Sequence, residues 1–339
     1  MNDELKQIPA KTIAPGPVSF DLYFKNERGE LVLFCKSGYE ITSSHKKILE
    51  TADRTFYVKI GDHKAFLDYS MKRLSSIIND PDIRVKEKVQ LLHAAGLRCA
   101  EKLFEDPRNG KVAKQSEKII YGYIDLILDS TEAVAHLFAI SSLDNYNYSH
   151  SINVATLNLL IGSKIFSNDR NIMWELGMAG LLHDIGKTQV KREILLKEGP
   201  LKQIEMMEMK RHPLFSEGII SGHEYGERIR LAGRNHHERW HGGGYPDGLK
   251  GEDINIFARI TAVADVYDAS TSKTSYSSAK ESMEALKEMA EDHGHFDPEV
   301  FDVLLDVVIG NKILIRNFKE SISLGNPVTK PMEDIVPDH

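Results

Sequence analysis

Cysteine is nearly absent: Cys35 and Cys99 are the two in 339 residues. A disulfide framework is thereby excluded, and a reducing, cytoplasmic setting is expected. There is no run of about eighteen apolar residues, so no membrane span is expected. The opening, MNDELKQIPAK, lacks the basic start and apolar stretch of a signal peptide. Positive charge is also scarce, with 43 Lys and Arg against 50 Asp and Glu and a formal net charge of −7. A protein that grips duplex DNA by its phosphates carries a basic surface, so DNA is not an expected partner. A small anionic ligand fits this balance only where positive field is local, as metal ions make it.

Histidine, by contrast, is concentrated. Seven of the 14 histidines (His150, His183, His212, His223, His236, His237 and His241) fall in the stretch 150–241. The periodicity around them is helical. Residues 1–70 differ: 18–25 (VSFDLYFK), 31–36 (LVLFCK) and 55–60 (TFYVKI) are β-branched or aromatic runs, with a hairpin turn expected at Asn26-Glu27-Arg28-Gly29. Residues 42–51 (TSSHKKILET) carry a Ser/Thr start and predict a short helix. This predicts a small α+β module at 1–70, whose isolated His45 and His63 read as surface residues. Apolar residues at three-and-four spacing then predict helices over 67–78, 84–104 and 112–140, broken at Asp80-Pro81 and at 106–110. The segment 71–129 is expected to connect the module to the rest, or to form the interface of a homodimer. Residues 130–323 read as all-helical, followed by a polar tail from Leu324.

The candidate metal ligands lie on or at the ends of these predicted helices. Ile172, Leu176, Ala179 and His183 recur at helical spacing, which brings the pair His183-Asp184 off a buried stripe, with Gly186 expected to end the helix in a left-handed conformation. His150 opens HSINVATLNLLIGSKIF. His212 precedes Pro213, which suits the first turn of a helix, and His236-His237 close the segment 223–235. Asp265 and Asp268 share a face at i, i+3 within 256–269. Taken singly, each histidine is as readily a packed or exposed side chain as a ligand. As a set on separate helices, His150, His183, Asp184, His212, His236, His237 and Asp265 build a metal site in the manner of a helical bundle. Mixed nitrogen and carboxylate donors suit iron, manganese, zinc or nickel rather than magnesium or calcium. Seven donors exceed the four of a structural zinc and suit two adjacent ions, a pair about 3.5–4 Å apart that can activate a water and stabilise a leaving oxygen. His223, His241, His293 and His295 are assigned no ligand role.

The stretches LLHDIGK (181–187), Arg211-His212-Pro213, HHERWHGGGYPDGLKGEDI (236–254), DNYNYSHSINV (144–154) and ARITAVADVY (258–267) together resemble the HD-GYP family, a branch of the HD-domain metal-dependent phosphohydrolases. The resemblance covers about 130–310, with the motifs in the family's order. It implies a mainly α-helical HD-type domain behind the small α+β module. It also implies the same seven ligands around two divalent ions, iron or manganese, with Asp184 as the bridge. The implied reaction is hydrolysis of cyclic di-GMP to the linear dinucleotide pGpG, and in some members onward to GMP, by in-line attack of a metal-bridging hydroxide on phosphorus. Asp184 and Lys187 are then the expected catalytic residues, and Lys187, Gly244, Tyr245 and Asp268 the expected substrate contacts. Gly242-Gly243-Gly244 permit tight turns close to a ligand, and Tyr245 offers a hydroxyl or a stacking ring. Lys187 read alone is a charge at a helix C-terminus.

The sequence also departs from the family. His241 stands where an aspartate is usual. In 265–277 (DVYDASTSKTSYS), Thr274 and Ser277 replace basic residues that contact substrate phosphate, and a hydroxyl does not replace a guanidinium. Lys273 offers partial compensation. Tyr146 occupies the position of a glutamate that accompanies a third metal, which favours two. The altered phosphate contacts leave two other readings standing: the same chemistry on a mixed GMP–AMP ring, or a nucleotide-binding sensor or scaffold without turnover.

Overall fold

A computed structural model describes residues 5–51, 55–141, 148–197, 199–223, 225–272 and 281–324. The chain opens with strands β1 (Leu5–Ile8), β2 (Gly16–Pro17), β3 (Leu22–Lys25), β4 (Leu31–Cys35) and β5 (Glu40–Ile41), followed by helix α1 (Ser43–Thr51) and strand β6 (Phe56–Lys59). Four of them form an antiparallel sheet in the order β1-β6-β3-β4, while β2 and β5 pair separately. The β3–β4 hairpin turns where the sequence predicts. Asn26 Oδ1 accepts from the Arg28 and Glu30 amides at 3.0 and 2.9 Å, and Gly29 takes a φ of +76° that a side chain would resist. Thr42 starts α1 as expected: its hydroxyl accepts from the His45 amide, and its own amide donates to His45 Nδ1. That contact gives His45 a capping role. The sequence reading missed β1, a four-residue edge strand (LKQI) with two exposed polar side chains, legible only through its pairing with β6.

The sheet buries Leu22, Phe56 and Val58 against Phe20 and against Phe66 and Leu67 of α2 (Ile60–Met71). The Phe20 and Phe66 rings meet edge-on at 5.5 Å. This core runs on through Ile77 of α3 (Leu74–Ile78) to Leu91 of α4 (Val85–Glu105). Helices α5 (Gly110–Asp129) and α6 (Thr131–Ser141) follow, α5 capped by Asn109, whose side chain accepts from the Lys111 and Val112 amides. Leu92, Ala95, Cys99 and Leu103 of α4 and Ile119, Ile120, Tyr123 and Ile124 of α5 enter the same core as the helices that follow. The apolar stripe that suggested a dimer seam is therefore used within the chain. Cys35 and Cys99 are both buried and unpaired.

The remaining helices are α7 (Ser149–Ile165), α8 (Arg170–Leu182), α9 (Arg192–Leu195), α10 (Gln203–Met209), α11 (His212–Ser221), α12 (Glu227–Asn235), α13 (Ile256–Thr271), α14 (Ser282–Glu291) and α15 (Pro298–Leu324). Among the described residues no strand follows β6, so the chain is mainly α-helical behind a small N-terminal sheet module. No helix among them is long and apolar enough to cross a membrane. Helix α7 is the central element, buried almost continuously from Ser151 to Gly162. Asn158 ties it to two neighbours, donating to the Leu176 carbonyl of α8 at 3.1 Å and to the Thr261 hydroxyl of α13 at 3.0 Å. The α7–α8 approach depends on glycine: a Cβ on Gly180 would lie 2.6 Å from Ala155 Cα and 2.7 Å from its nitrogen. Backbone cannot yield as a side chain can.

Gly180→Ala should therefore destabilise the protein by about 1–3 kcal/mol. Gly218→Ala, mid-helix in α11 with nothing within 4 Å of its added Cβ, should stabilise it, by about 0.5–1 kcal/mol. Thermal and denaturant unfolding of the two variants read opposite signs if the close approach is real.

Candidate metal centre

The local structure around His183-Asp184 follows from a change of helix type. Helix α8, capped at its start by Asp169, keeps right-handed geometry through His183 (φ −52°, ψ −39°) and then tightens into a 3-10 turn over Ile185–Gln189. Gly186 is not left-handed, contrary to the sequence expectation, for its φ is not positive. Glycine is needed there because α11 presses on it: a Cβ would lie 2.1 Å from the His212 carbonyl oxygen and 2.3 Å from the Ser216 nitrogen. Ser216 completes the joint, accepting from the Gly186 amide at 2.9 Å and donating to the His183 carbonyl at 2.7 Å. Two candidate ligands and a third, His212, are thus held by one helix-on-turn contact.

The other elements deliver their residues as expected. His150 is the second residue of α7, behind Tyr148, whose ring rests on Phe104 of α4 at 5.8 Å. His212 begins α11 with Pro213 in the first turn, His236 caps the C-terminus of α12, and Asp265 and Asp268 sit on α13. All seven expected ligands come together, as two groups. Asp184, His212, His236 and His237 form one, and His150, His183 and Asp265 the other, with donor atoms in each within 4.8 Å of one another. Asp184 faces both. Its Oδ1 lies 3.1 Å from His212 Nε2 and 3.8 Å from His236 Nε2, and its Oδ2 lies 3.4 Å from His183 Nε2 and 3.7 Å from His150 Nε2.

The hydrogen bonds on the far side of each ring decide what these atoms offer. His183 Nδ1 donates to the Gly180 carbonyl and His212 Nδ1 to the Met209 carbonyl, each at 2.8 Å, and His236 Nδ1 to the Gly233 carbonyl at 3.1 Å. A carbonyl only accepts, so each Nδ1 carries the proton and each Nε2 of the neutral ring presents a lone pair. The Nε2 atoms of His212 and His236 then face each other at 3.3 Å, and His183 Nε2 and Asp184 Oδ1 are buried without a hydrogen-bond partner. Converging lone pairs and buried orphan acceptors are what a cation satisfies, and the mixed nitrogen and carboxylate set suits a transition metal. The donor set fits a pair of such ions.

Electrostatics agree. Burial, reinforced by neighbouring imidazoles, holds His236 far below the ordinary histidine value, and burial lowers His237 to about 4, so both are neutral at physiological pH, as ligands must be. Burial opposes charge on Asp184 and Asp265 as well. Lys187 wins at Asp184, and the bond from His150 wins at Asp265, so both carboxyls stay well below the usual range. Burial likewise opposes a charge on His150, yet its bonds to Asp265 (3.1 Å) and Asp268 (2.7 Å) push it up to about 10. A positive charge at Nε2 is strongly favoured there, and a metal ion that took His150 as a ligand would supply it in place of the proton.

The four expected substrate contacts have specific surroundings. The Lys187 ammonium donates to Asp184 Oδ2, and the carboxylates keep it protonated against the effect of burial. Asp268 is only 3% exposed and turns toward the scaffold: it accepts from His150 Nδ1 at 2.7 Å, Asn153 Nδ2 at 3.0 Å and Ser272 Oγ at 3.3 Å. That geometry sets it behind His150. Gly244 is required because a Cβ would meet the Glu238 Cα at 2.5 Å and the His237 carbonyl at 2.6 Å. The Tyr245 ring lies on His237, centroids 4.8 Å apart and planes 26° apart. Burial, with Asp184 and Asp265 nearby, pushes its phenol well up. His241 sits against Gly294, its amide donating to the Gly294 carbonyl at 2.9 Å, and His223 Nε2 donates to the Pro107 carbonyl at 2.6 Å. Tyr146, Lys273, Thr274 and Ser277 lie outside the described residues.

Sequence reasoning missed the residues that hold the loop after His237. Glu238, 2% exposed, accepts from the Asp247 and Gly248 amides at 2.7 and 3.0 Å. Arg234 grips both Asp247 oxygens at 2.7 Å, and Asn235 adds a third bond at 2.8 Å. Their only sequence signal was proximity to the paired histidines. Asn153 and Ser216 carried none beyond helical spacing to a ligand, Asn153 lying three residues after His150 and Ser216 four after His212.

Residues 148–300 match a family model described as HD domain. The chain is 34% identical over 233 residues to cyclic di-GMP phosphodiesterase PA4108 of Pseudomonas aeruginosa, covering 66% of this chain and 56% of that protein. It is 44% identical over 131 residues to the cyclic di-GMP phosphodiesterase response regulator RpfG of Xanthomonas campestris, covering 38% and 35%. It is also 37% identical over 161 residues to 3'3'-cGAMP-specific phosphodiesterase 3 of Vibrio cholerae, covering 47% and 35%. The chain thus spans between a quarter and just over half of the length of the curated relatives it matches. A solved structure, Bd1817 of Bdellovibrio bacteriovorus, described as an HDG"Y"P protein, shares the fold with a TM-score of 0.63 at 19% identity, covering 90% of this chain and 99% of that one. With these motifs in order on this helical frame, and with the HD-domain match over residues 148–300, the chain belongs to the HD-GYP branch of the HD-domain superfamily.

Proposed function

We propose that the chain is a metal-dependent phosphodiesterase that opens cyclic dinucleotides, with cyclic di-GMP as its substrate and pGpG, then GMP, as products. The observation that carries this reading is the Asp184 carboxylate, which turns one oxygen to each of two sets of imidazole lone pairs. In this reading His150, His183 and Asp265 would hold one ion and His212, His236 and His237 the other, with Asp184 available to both. Iron or manganese fits the donors. Such a pair supplies a nucleophilic water at neutral pH and charge to match the phosphoryl oxygens.

The protein's own groups do the rest. Asp268 and Asn153 orient His150, and the carbonyls of Gly180, Met209 and Gly233 orient three further rings, so little reorganisation is left for substrate binding. Lys187, beside Asp184, contributes a fixed positive charge where the reacting phosphate meets the carboxylates. The Tyr245 hydroxyl, close enough to Asp184 and Asp265 to feel both, remains protonated and can donate to a phosphoryl or leaving oxygen. The name of the Vibrio cholerae relative, specific for 3'3'-cGAMP, supports a second reading in which the same chemistry serves the mixed ring.

With iron or manganese under reducing conditions, the wild-type protein should linearise cyclic di-GMP, and chromatography of a panel that includes 3'3'-cGAMP should rank the rings. His183→Ala and Asp184→Ala should each lose bound metal and at least about a hundredfold in rate on every ring. A metal-loaded wild type that cleaves no cyclic dinucleotide establishes the sensor or scaffold reading instead. Asp268→Asn should leave the fold intact and weaken metal binding by about 10–100-fold, read by metal titration. Affinity equal to wild type removes Asp268 from its orienting role.

A further inference from the structure

Lys210 is the C-cap residue of α10, two positions before His212, whose Nδ1 is fixed by the neighbouring Met209 carbonyl. Its ammonium stands 5.0 Å from the centroid of the Tyr245 ring. Tyr245 in turn lies on His237, one of the seven converging residues. A continuous stack therefore runs from the metal centre outward, through histidine and tyrosine, to an exposed cation. Nearby cations are neutralised by carboxylates: Arg211 by Glu208, Arg234 by Asp247 and Lys187 by Asp184. Among the described residues no carboxylate pairs with Lys210. On a chain of net charge −7, it is uncompensated positive charge carried to the edge of the site.

We propose that Lys210, carried on the Tyr245 ring, binds the phosphate of a cyclic dinucleotide that is not being cleaved. The inference rests on the phosphodiesterase reading above. A cyclic dinucleotide has two phosphates in one ring, so while one is at the metals the other must be held outside them. A lysine meets it as a point charge on a flexible stem, without the two-pronged geometry of arginine, and so sets affinity and substrate choice more than the bond-breaking step. The platform also explains why Tyr245 is an aromatic residue resting on His237: the ring fixes the height of the ammonium above the ligands.

The test compares cyclic di-GMP with bis(p-nitrophenyl) phosphate, a diester with a single phosphate, on the metal-loaded full chain. Lys210→Gln should raise KM for cyclic di-GMP about tenfold with kcat within about twofold, and lower the ratio of kcat/KM for cyclic di-GMP over the single-phosphate diester about tenfold. Lys210→Arg should recover most of the loss. An unchanged KM, or equal losses on both diesters, overturns the proposal. Should wild type turn over neither compound, the phosphodiesterase reading fails by itself. Lys210 is then decided by the Kd for cyclic di-GMP, which Lys210→Gln must raise about tenfold, and an equal Kd rejects it.

Discussion

Imidazole rings with their Nδ1 protons committed to backbone carbonyls cannot satisfy one another through their remaining nitrogens. His183, His212 and His236 are in that position, and the Asp184 carboxylate between them can only accept. Buried in a helical core, such a cluster is unfavourable unless a cation joins it. The surrounding fold reads as the means of enforcing the cluster. Each ring is locked from behind by a group that belongs to a helix terminus, where carbonyls are unused by the helix itself. The centre lies where several helices end, and its order comes from those ends.

Holding helix ends together at this density requires missing side chains. Gly180 lets α8 reach the backbone of α7, Gly186 lets the 3-10 turn reach α11, and Gly244 lets the following loop fold onto Glu238. At none of the three is the backbone left-handed. They are glycines for space and not for torsion, and all three lie within a few residues of a candidate ligand in sequence or across the contact. The N-terminal module joins this frame through α4. That helix contributes Leu91 to the sheet's core, Leu92 to Leu103 to the helical core, and Phe104 to the ring of Tyr148 just before His150.

What the sequence made legible follows the same division. The candidate ligands were readable because metal binding demands particular side chains, and seven of them over five helical segments are improbable as an accident. The mainly helical frame was readable from apolar spacing, and the hairpin from Asn26 and Gly29. Residues acting by position were not. Asp268 was expected at the substrate, and its place behind His150, where it meets Nδ1, was not foreseen from its sharing a helix face with Asp265. Gly186 looked like a helix terminator because glycine most often ends helices by torsion, whereas here the neighbour α11 sets the requirement. Glu238 and Ser216 act through backbone amides and carbonyls of distant segments, which no local pattern encodes. Strand β1 exists because β6 offers an edge, not because LKQI favours extension.

The loop that names the family is a fixed wall by the same physical logic. Its far end is held by Asp247, bonded to Arg234 and Asn235 of α12, and its turn by Glu238. Its middle is tied to the centre through the Tyr245 amide, which donates to the His237 carbonyl at 3.2 Å. Trp240 at its start donates to the His295 carbonyl at 2.8 Å and lies under the Arg259 guanidinium. A segment anchored at each of these points has little freedom to open and close over a ligand. Two of the anchors, Arg234 and Asn235, come from the helix that ends in His236-His237, so loop and ligands move as one body. The lysine resting on the tyrosine adds a positive charge to the edge of that wall.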